Sequence, residues 1–250
     1  MLDGMDTRRY AELVRRTSSM WWFPRVEAVG LPVPKTLHVP CEGLDLARLM
    51  DGETPDGYEE MLNSVRQAAD TIRYPVFIRT DQTSAKHDGP KAYRCEGPGD
   101  LPTALFYTFD HAFMAGVNQF VRAVMVREWL DLRAGFSAFH GHRIAREFRV
   151  FANAGVERTC LHPYWPETAI EFWSEDEPDK WREVLKRQNT IDTYESAMLR
   201  VMARRAADEC GHIHPAWSVD LAQRLDGSWV LIDMACAEVS YHPEPCKDRR

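Results

Sequence analysis

The sequence predicts an α+β fold, and three observations support that class. Helical and strand-like apolar spacings alternate through the first half. Strands, a long helical block and a final hairpin follow, and there is neither an internal repeat nor a low-complexity tract. At 250 residues the chain can bury one large core or two small ones, so one unit with lobes is expected. Hydrophobic residues at 44% and charged residues at 28% exclude a wholly disordered chain.

Reading in chain order, residues 8–16 have helical spacing, and Trp21-Trp22-Phe23-Pro24 reads as an aromatic break. Gly30 to Thr36 carries two prolines that impose an extended backbone, and an acidic loop runs through Asp51 to Pro55. Met61, Leu62, Val65, Ala69 and Ile72 form one stripe of a helix from about Tyr58 to Ile72. Pro75 to Arg79 reads as a buried strand that ends in a polar loop, Thr80 to Gly89. Asp100 is placed to cap a helix with Pro102 in its first turn, and Val121 to Glu128 is a second apolar strand. A meander is expected over 136–161, turning last at Asn153-Ala154-Gly155. A helical block follows over 179–209, broken near Asn189 and stopped by Gly211.

The final hairpin is the clearest feature. Asp226-Gly227 favours a two-residue type I′ turn between Trp217–Arg224 and Ser228–Met234. Pairing outward from that turn sets Asp220 opposite Asp233, with Cβ atoms about 4.5–5.5 Å apart and like charges in opposition. A shared proton, a neighbouring arginine or a metal cation would compensate, and a solvated surface pair would tolerate the repulsion. Magnesium suits two carboxylates on rigid strands, because substrate phosphates complete its shell. Neutralising either aspartate is then expected to relieve repulsion in the ligand-free protein.

Composition narrows the partners. A formal charge of −7 gives no general attraction to nucleic acid, so an anionic substrate needs a local basic pocket. No apolar run reaches the roughly 18 residues of a membrane span. Asp3, Asp6, Arg8, Arg9, Glu12, Arg15 and Arg16 interrupt the first residues, which therefore lack a signal-peptide centre. Cys246 stands one place too far from the end for prenylation, and a cytoplasmic protein without a membrane partner is expected. The six cysteines, at 41, 95, 160, 210, 236 and 246, include no CxxC pair and read as mostly buried thiols. His140-Gly141-His142 and Cys210-Gly211-His212-Ile213-His214 lack strong zinc spacing and read as polar surface histidines. No GxSxG elbow supports a serine hydrolase.

Several of these stretches, in this order, resemble the ATP-grasp enzymes. Val219-Asp220-Leu221 and Leu231-Ile232-Asp233 resemble the hairpin that holds the magnesium ions of ATP in that family. Ala235 stands where an asparagine is usual, and Glu238 is the nearest substitute as a metal ligand. Gly30 to Thr36 resembles the lead-in to the family core. Tyr74 to Arg79 is similar to the strand presenting a cation to the phosphates, which implies that role for Arg79, with Lys86 in the polar cover loop. Val124 to Leu130 resembles the adenine hinge, which implies contacts from Glu128, Trp129 and Leu130 and a ribose contact from Asp131. Arg146 to Phe151 resembles the arginine strand of peptide-forming members. Period-2 geometry puts Glu147 and Arg149 on one face and Phe148 and Val150 on the other, so Arg149 is expected to face the transferred phosphate.

The resemblance implies an ATP-grasp fold holding its nucleotide between two α+β lobes. The expected parts are an N-terminal region (1–73), a small lobe with the hinge (74–132) and a large lobe with the metal hairpin (133–250). It further implies ATP and magnesium, with carboxylate and amine substrates, among them peptides or proteins, joined through an acyl phosphate. The alternative is an ATP-binding assembly factor with little or no turnover, as in the similar eukaryotic cell-division-cycle family, which shares a Glu-Phe-Arg strand.

Overall fold

The computed structural model describes residues 6–174, 178–243 and 246, with 178 and 179 as backbone only. Helices α1 (Thr7–Thr17) and α2 (Ser19–Ala28) meet at Ser18, whose Oγ accepts from the Met20 amide at 3.3 Å. The expected break at 21–24 is instead the middle of α2. Pro24 costs that helix a hydrogen bond, but Trp22, Phe23 and Val26 are buried on it, and large apolar burial outweighs the loss.

Strand β1 (Thr36–Pro40) follows the proline lead-in. A short helix, α3 (Leu46–Met50), precedes the acidic loop, with the Asp45 carboxylate accepting from the Ala47 and Arg48 amides. Helix α4 (Tyr58–Ile72) buries the predicted stripe. Strands β2 (Val76–Thr80) and β3 (Arg94–Cys95), helix α5 (Leu101–Met114) and strand β4 (Ala123–Glu128) follow. Asp100 does not cap α5; its Oδ2 instead accepts from the Glu96 and Gly97 amides and closes the preceding turn. The antiparallel sheet runs β1-β4-β2-β3. Its apolar face, with Val76, Ile78, Val124 and Val126, packs with Val65 of α4 and Leu105 and Phe109 of α5.

Strands β5 (Ala134–Ala138) and β6 (His142–Ala145) pair with each other. Strands β7 (Glu147–Asn153) and β8 (Thr159–Pro163) precede helices α6 (Glu167–Ile170), α7 (Pro178–Gln188) and α8 (Thr193–Glu209). The block therefore breaks next to Asn189, as expected. Gly211 is not the left-handed stop expected after α8. Its value is space, because a Cβ there would meet the Ala154 Cβ at 2.7 Å. Strands β9 (Ala216–Gln223) and β10 (Trp229–Cys236) complete a second antiparallel sheet, β10-β9-β7-β8. Its core face (Phe148, Val150, Trp217, Val219, Leu221, Leu231 and Met234) packs with α8 and α2.

The described residues divide into two compact units. One draws on Met1–Val33, Asp131–Ala138 and Arg143–Arg250, the other on Pro34–Leu130 and Phe139–His142. This differs from the three-part reading. Residues 34–73 join the small-sheet unit because α4 packs on β1 and β4, while α1 packs on β10 and α2 on α8. Among the described residues no helix is long and apolar enough to cross a membrane.

Candidate functional site

The β9–β10 hairpin sets Asp220 opposite Asp233, by a different route from the one its sequence suggests. The loop has three residues rather than two. The Gly227 amide donates to the Arg224 carbonyl, the Arg224 amide to the Ser228 carbonyl, and Gly227 takes φ +87°. From that loop the register runs Trp229↔Gln223 to Leu231↔Leu221, then shifts at Ile232 so that Asp233 meets Asp220. Without the bulge, Asp233 would share the face of Leu231 and point into the core. The extra residue re-aims it to the opposite face.

That face carries a cross-strand row: Asp233, Asp220, Arg149 and His162 are successive partners on β10, β9, β7 and β8. Arg149 grips Asp220 in two-pronged fashion, Nε to Oδ1 at 2.7 Å and Nη2 to Oδ2 at 2.8 Å, and Nη1 donates to the Tyr241 carbonyl at 3.3 Å. The Tyr164 ring lies 4.7 Å below the guanidinium. Burial works against the charge on Arg149, but the Asp220 carboxylate outweighs it and raises the pKa. Of the expected compensators, the neighbouring arginine is thus the one present, and Asp220 is only 4% exposed. Glu147 and Arg149 share one face as predicted, and Phe148 and Val150 line the core.

Glu238 stands apart from this pair in its bonding. It lies in a 3-10 turn, Ala237–Val239, and its Oε2 is 2.8 Å from His214 Nε2. Asp131 is exposed, and its carbonyl accepts from the Leu225 amide. Ala235 faces Ser218 across the hairpin.

The small sheet offers a face of opposite character. Arg79 of β2 (4% exposed) and Arg127 of β4 (5% exposed) alternate with core residues and point away from the apolar core, as does His38 of β1. Burial, then the charges of Arg127 and Arg79, push His38 down to about 4. Lys86 opens a 3-10 turn, Lys86–Asp88, in a cover loop tied down by Thr80, whose Oγ1 accepts from the Thr83 amide at 2.8 Å. Burial, then the Lys86 and His87 charges, lower His142 to about 3, and its Nδ1 lies 2.7 Å from the Tyr93 hydroxyl. In the hinge, the Glu128 amide donates to the Lys35 carbonyl and the Trp129 amide to that of Pro75. Glu128 Oε1 accepts from the Lys35 amide, and the Trp129 indole stacks on Tyr93 under the Arg94 guanidinium.

Three of these features are not anticipated by the sequence reading. Arg127 is legible in the alternation of β4, although the family resemblance assigns that stretch only to the hinge. Arg146 is a buried structural node, bonded to both Glu195 oxygens at 2.8 Å and to the Gln188 and Thr190 carbonyls. The Ile232 bulge has no local signal. The histidine clusters also differ from the polar surface expected: His140 and His212 are exposed, but His214 is buried against Glu238 and His142 packs against Tyr93.

Two antiparallel sheets, one with a cationic face and one with a paired-aspartate hairpin, make up an ATP-grasp fold. More narrowly, the chain belongs to an ATP-grasp domain family, the third of its clade, whose model matches residues 66–250. Among solved structures, Cdc123 from Schizosaccharomyces pombe is similar at 13% identity with a TM-score of 0.55, covering 90% of this chain and 84% of that one. N5-carboxyaminoimidazole synthase from Aspergillus clavatus, in complex with ADP and 5-aminoimidazole ribonucleotide, is similar at 11% identity with a TM-score of 0.49. That match covers 90% of this chain, which spans only 45% of the synthase. A RimK domain ATP-grasp protein from Sphaerobacter thermophilus gives 18% identity, a TM-score of 0.47, and coverage of 94% and 64%. At these identities the likeness concerns the fold alone. No curated protein matches the chain.

Proposed function

We propose that the protein binds ATP with magnesium and uses it to join a carboxylate to an amine. The observation that carries this reading is the bulge at Ile232, which turns Asp233 onto the face of Asp220 and Arg149. A bulge beside a site re-aims a side chain at some cost to the ladder, and a merely structural hairpin has no use for two opposed carboxylates.

The donor set fits magnesium, which takes one or two carboxylates and leaves its other positions to phosphate oxygens. A carboxylate has about four lone-pair sites, so Asp220 can accept both Arg149 bonds and still ligate. Magnesium, when bound, neutralises charge on the phosphates of ATP. In this reading Arg79 and Lys86 also receive phosphate, and Arg127 adds charge to the same sheet face. The Glu128 and Trp129 amides are committed to the sheet, so the Leu130 amide serves adenine, and Asp131 serves ribose. Arg149 fixes Asp220 through two of its N–H groups and offers others to the transferring phosphoryl group.

The reaction proposed starts with attack of a substrate carboxylate oxygen on the γ-phosphorus, which releases ADP and leaves an acyl phosphate. An amine nitrogen then attacks the acyl carbon, phosphate departs, and the amine loses a proton to give the amide. The substrate pair is proposed to be peptide-like.

A thermal-shift titration tests nucleotide binding: ATP with magnesium should add about 2.7 kcal/mol at a hundredfold excess over the dissociation constant. No shift with ATP, while other nucleotides are equally silent, removes the reading. Ala235 supports a second reading, an assembly factor that binds ATP with little or no turnover. Stabilisation by ATP without ADP release, across panels of amino acids, peptides and proteins, selects it.

A further inference from the structure

Strand β8 and the segment after the 237–239 turn bring together four soft metal ligands, Cys160, His162, His242 and Cys246. Cys160 and His162 are alternate residues of β8 and share one face, opposite Phe151 and Arg149 of β7. Cys160 Sγ lies 2.7 Å from His162 Nε2, 3.0 Å from His242 Nε2 and 2.8 Å from Cys246 Sγ, and the two Nε2 atoms are 3.2 Å apart. One ligand atom from each residue lies within 4.8 Å of all the others. Among the described residues this is the one group of three or more His, Cys, Asp or Glu side chains gathered closely enough to hold a metal.

We propose that these four residues form a structural zinc site. Two sulfurs and two imidazoles, with no oxygen ligand, are the donor set of a closed tetrahedral zinc centre and are unsuited to magnesium or calcium. With Zn–S near 2.3 Å and Zn–N near 2.0–2.1 Å, a tetrahedron has edges of about 3.3–3.8 Å, so the side chains need open by at most about 1 Å. A disulfide is the competing chemistry, but the two sulfurs stand 2.8 Å apart, beyond the bonding distance of about 2.05 Å. The rings are already oriented by packing. Phe151 lies edge-on to His242 at 4.2 Å and to His162 at 6.2 Å, and the two imidazoles are nearly perpendicular.

The site has a consequence for the cross-strand row. His162 is the β8 partner of Arg149, and Tyr241, whose carbonyl accepts from Arg149, immediately precedes His242. Zinc would therefore clamp the 241–246 segment beside Arg149 and hold the guanidinium that grips Asp220. This inference does not depend on the ligase reading, since the metal is detectable without nucleotide.

The test is the metal content of the full chain purified without a histidine tag from zinc-supplemented medium. One zinc per chain is expected. After removal of zinc under reducing conditions, cobalt titration should give the intense d–d bands of a tetrahedral centre together with thiolate-to-cobalt charge transfer. Cys246→Ser, at a partly exposed position, should weaken zinc binding by about a hundredfold or more, because one of only four ligands is lost, whereas His212→Ala should leave it unchanged. Cobalt titration of the unmodified protein decides the matter even where a variant folds poorly. A parent protein without zinc and without a tetrahedral cobalt spectrum overturns the proposal. So does unchanged metal affinity in a folded Cys246→Ser protein, or a Cys160–Cys246 disulfide in the non-reduced peptide map of the freshly purified chain.

Discussion

The two four-stranded sheets are built alike and charged differently. Each packs one apolar face on helices and turns charged side chains the other way. On β10-β9-β7-β8 the charges alternate across the strands, so Arg149 and Asp220 satisfy each other inside the sheet. On β1-β4-β2-β3 the corresponding face gathers Arg79, Arg127 and His38, all cationic or able to become so. One face is suited to anions, and the other holds an arginine and a carboxylate as neighbours. Where the partner of a charge comes from decides which residues serve stability and which can serve a ligand.

Breaking the internal pair gives the largest effect. Asp220→Ala should cost about 3–5 kcal/mol, because it leaves a buried guanidinium without its carboxylate. Asp220→Asn should cost less but still destabilise. This reverses the relief of repulsion expected from the sequence, since Arg149 already compensates the pair. Urea denaturation of both variants without ligand checks it, and a neutral result for Asp220→Ala would mean that the ion pair is not formed in solution.

The small-sheet unit carries a pH dependence instead. His142 titrates at about 3 in the folded protein, well below its unfolded value near 6.5, so only the unfolded chain takes the proton between these values. Stability is therefore complete above about pH 6.5 and falls as the pH drops towards 3, by about 2 kcal/mol at pH 5 for this one group. His38 adds to the same trend, reduced by its partial exposure. Denaturation at pH 7 and pH 5 should show the loss, and His142→Asn should remove most of it. An equal slope in that variant would assign the effect elsewhere.

Arg79→Met should change stability by less than about 1 kcal/mol, since it removes one of several like charges. It should also raise the His38 pKa, readable by NMR titration of the imidazole. A His38 that does not move would separate the two residues. Smallest of all, Asp233→Asn should alter the ligand-free stability by no more than about 0.5 kcal/mol. It should nevertheless blunt stabilisation by ATP with magnesium, and calorimetry showing a parental nucleotide response would remove Asp233 from the metal site.

The sequence by itself determined what periodicity and local chemistry control. The stripe of α4, the alternations of β2, β4 and β7, the break near Asn189 and the final hairpin all follow from side-chain spacing along one element. The order of those elements was enough to suggest the fold family, and the Asp220–Asp233 pairing was legible, though from a loop one residue too short. Tertiary structure decided what depends on the other side of a contact. The apolar core kept α2 helical through Pro24, because burial of Trp22, Phe23 and Val26 is a long-range gain that no local propensity records. The Ile232 bulge arose because Leu231 and Met234 must both reach the core while Asp233 faces away. Arg149 became the counterion of Asp220, and Cys160 and His162 met His242 and Cys246, through strand pairing and chain return across about 70–80 positions of sequence. Local spacing cannot encode such meetings, because sequence separation leaves the partner unspecified until the sheets have formed.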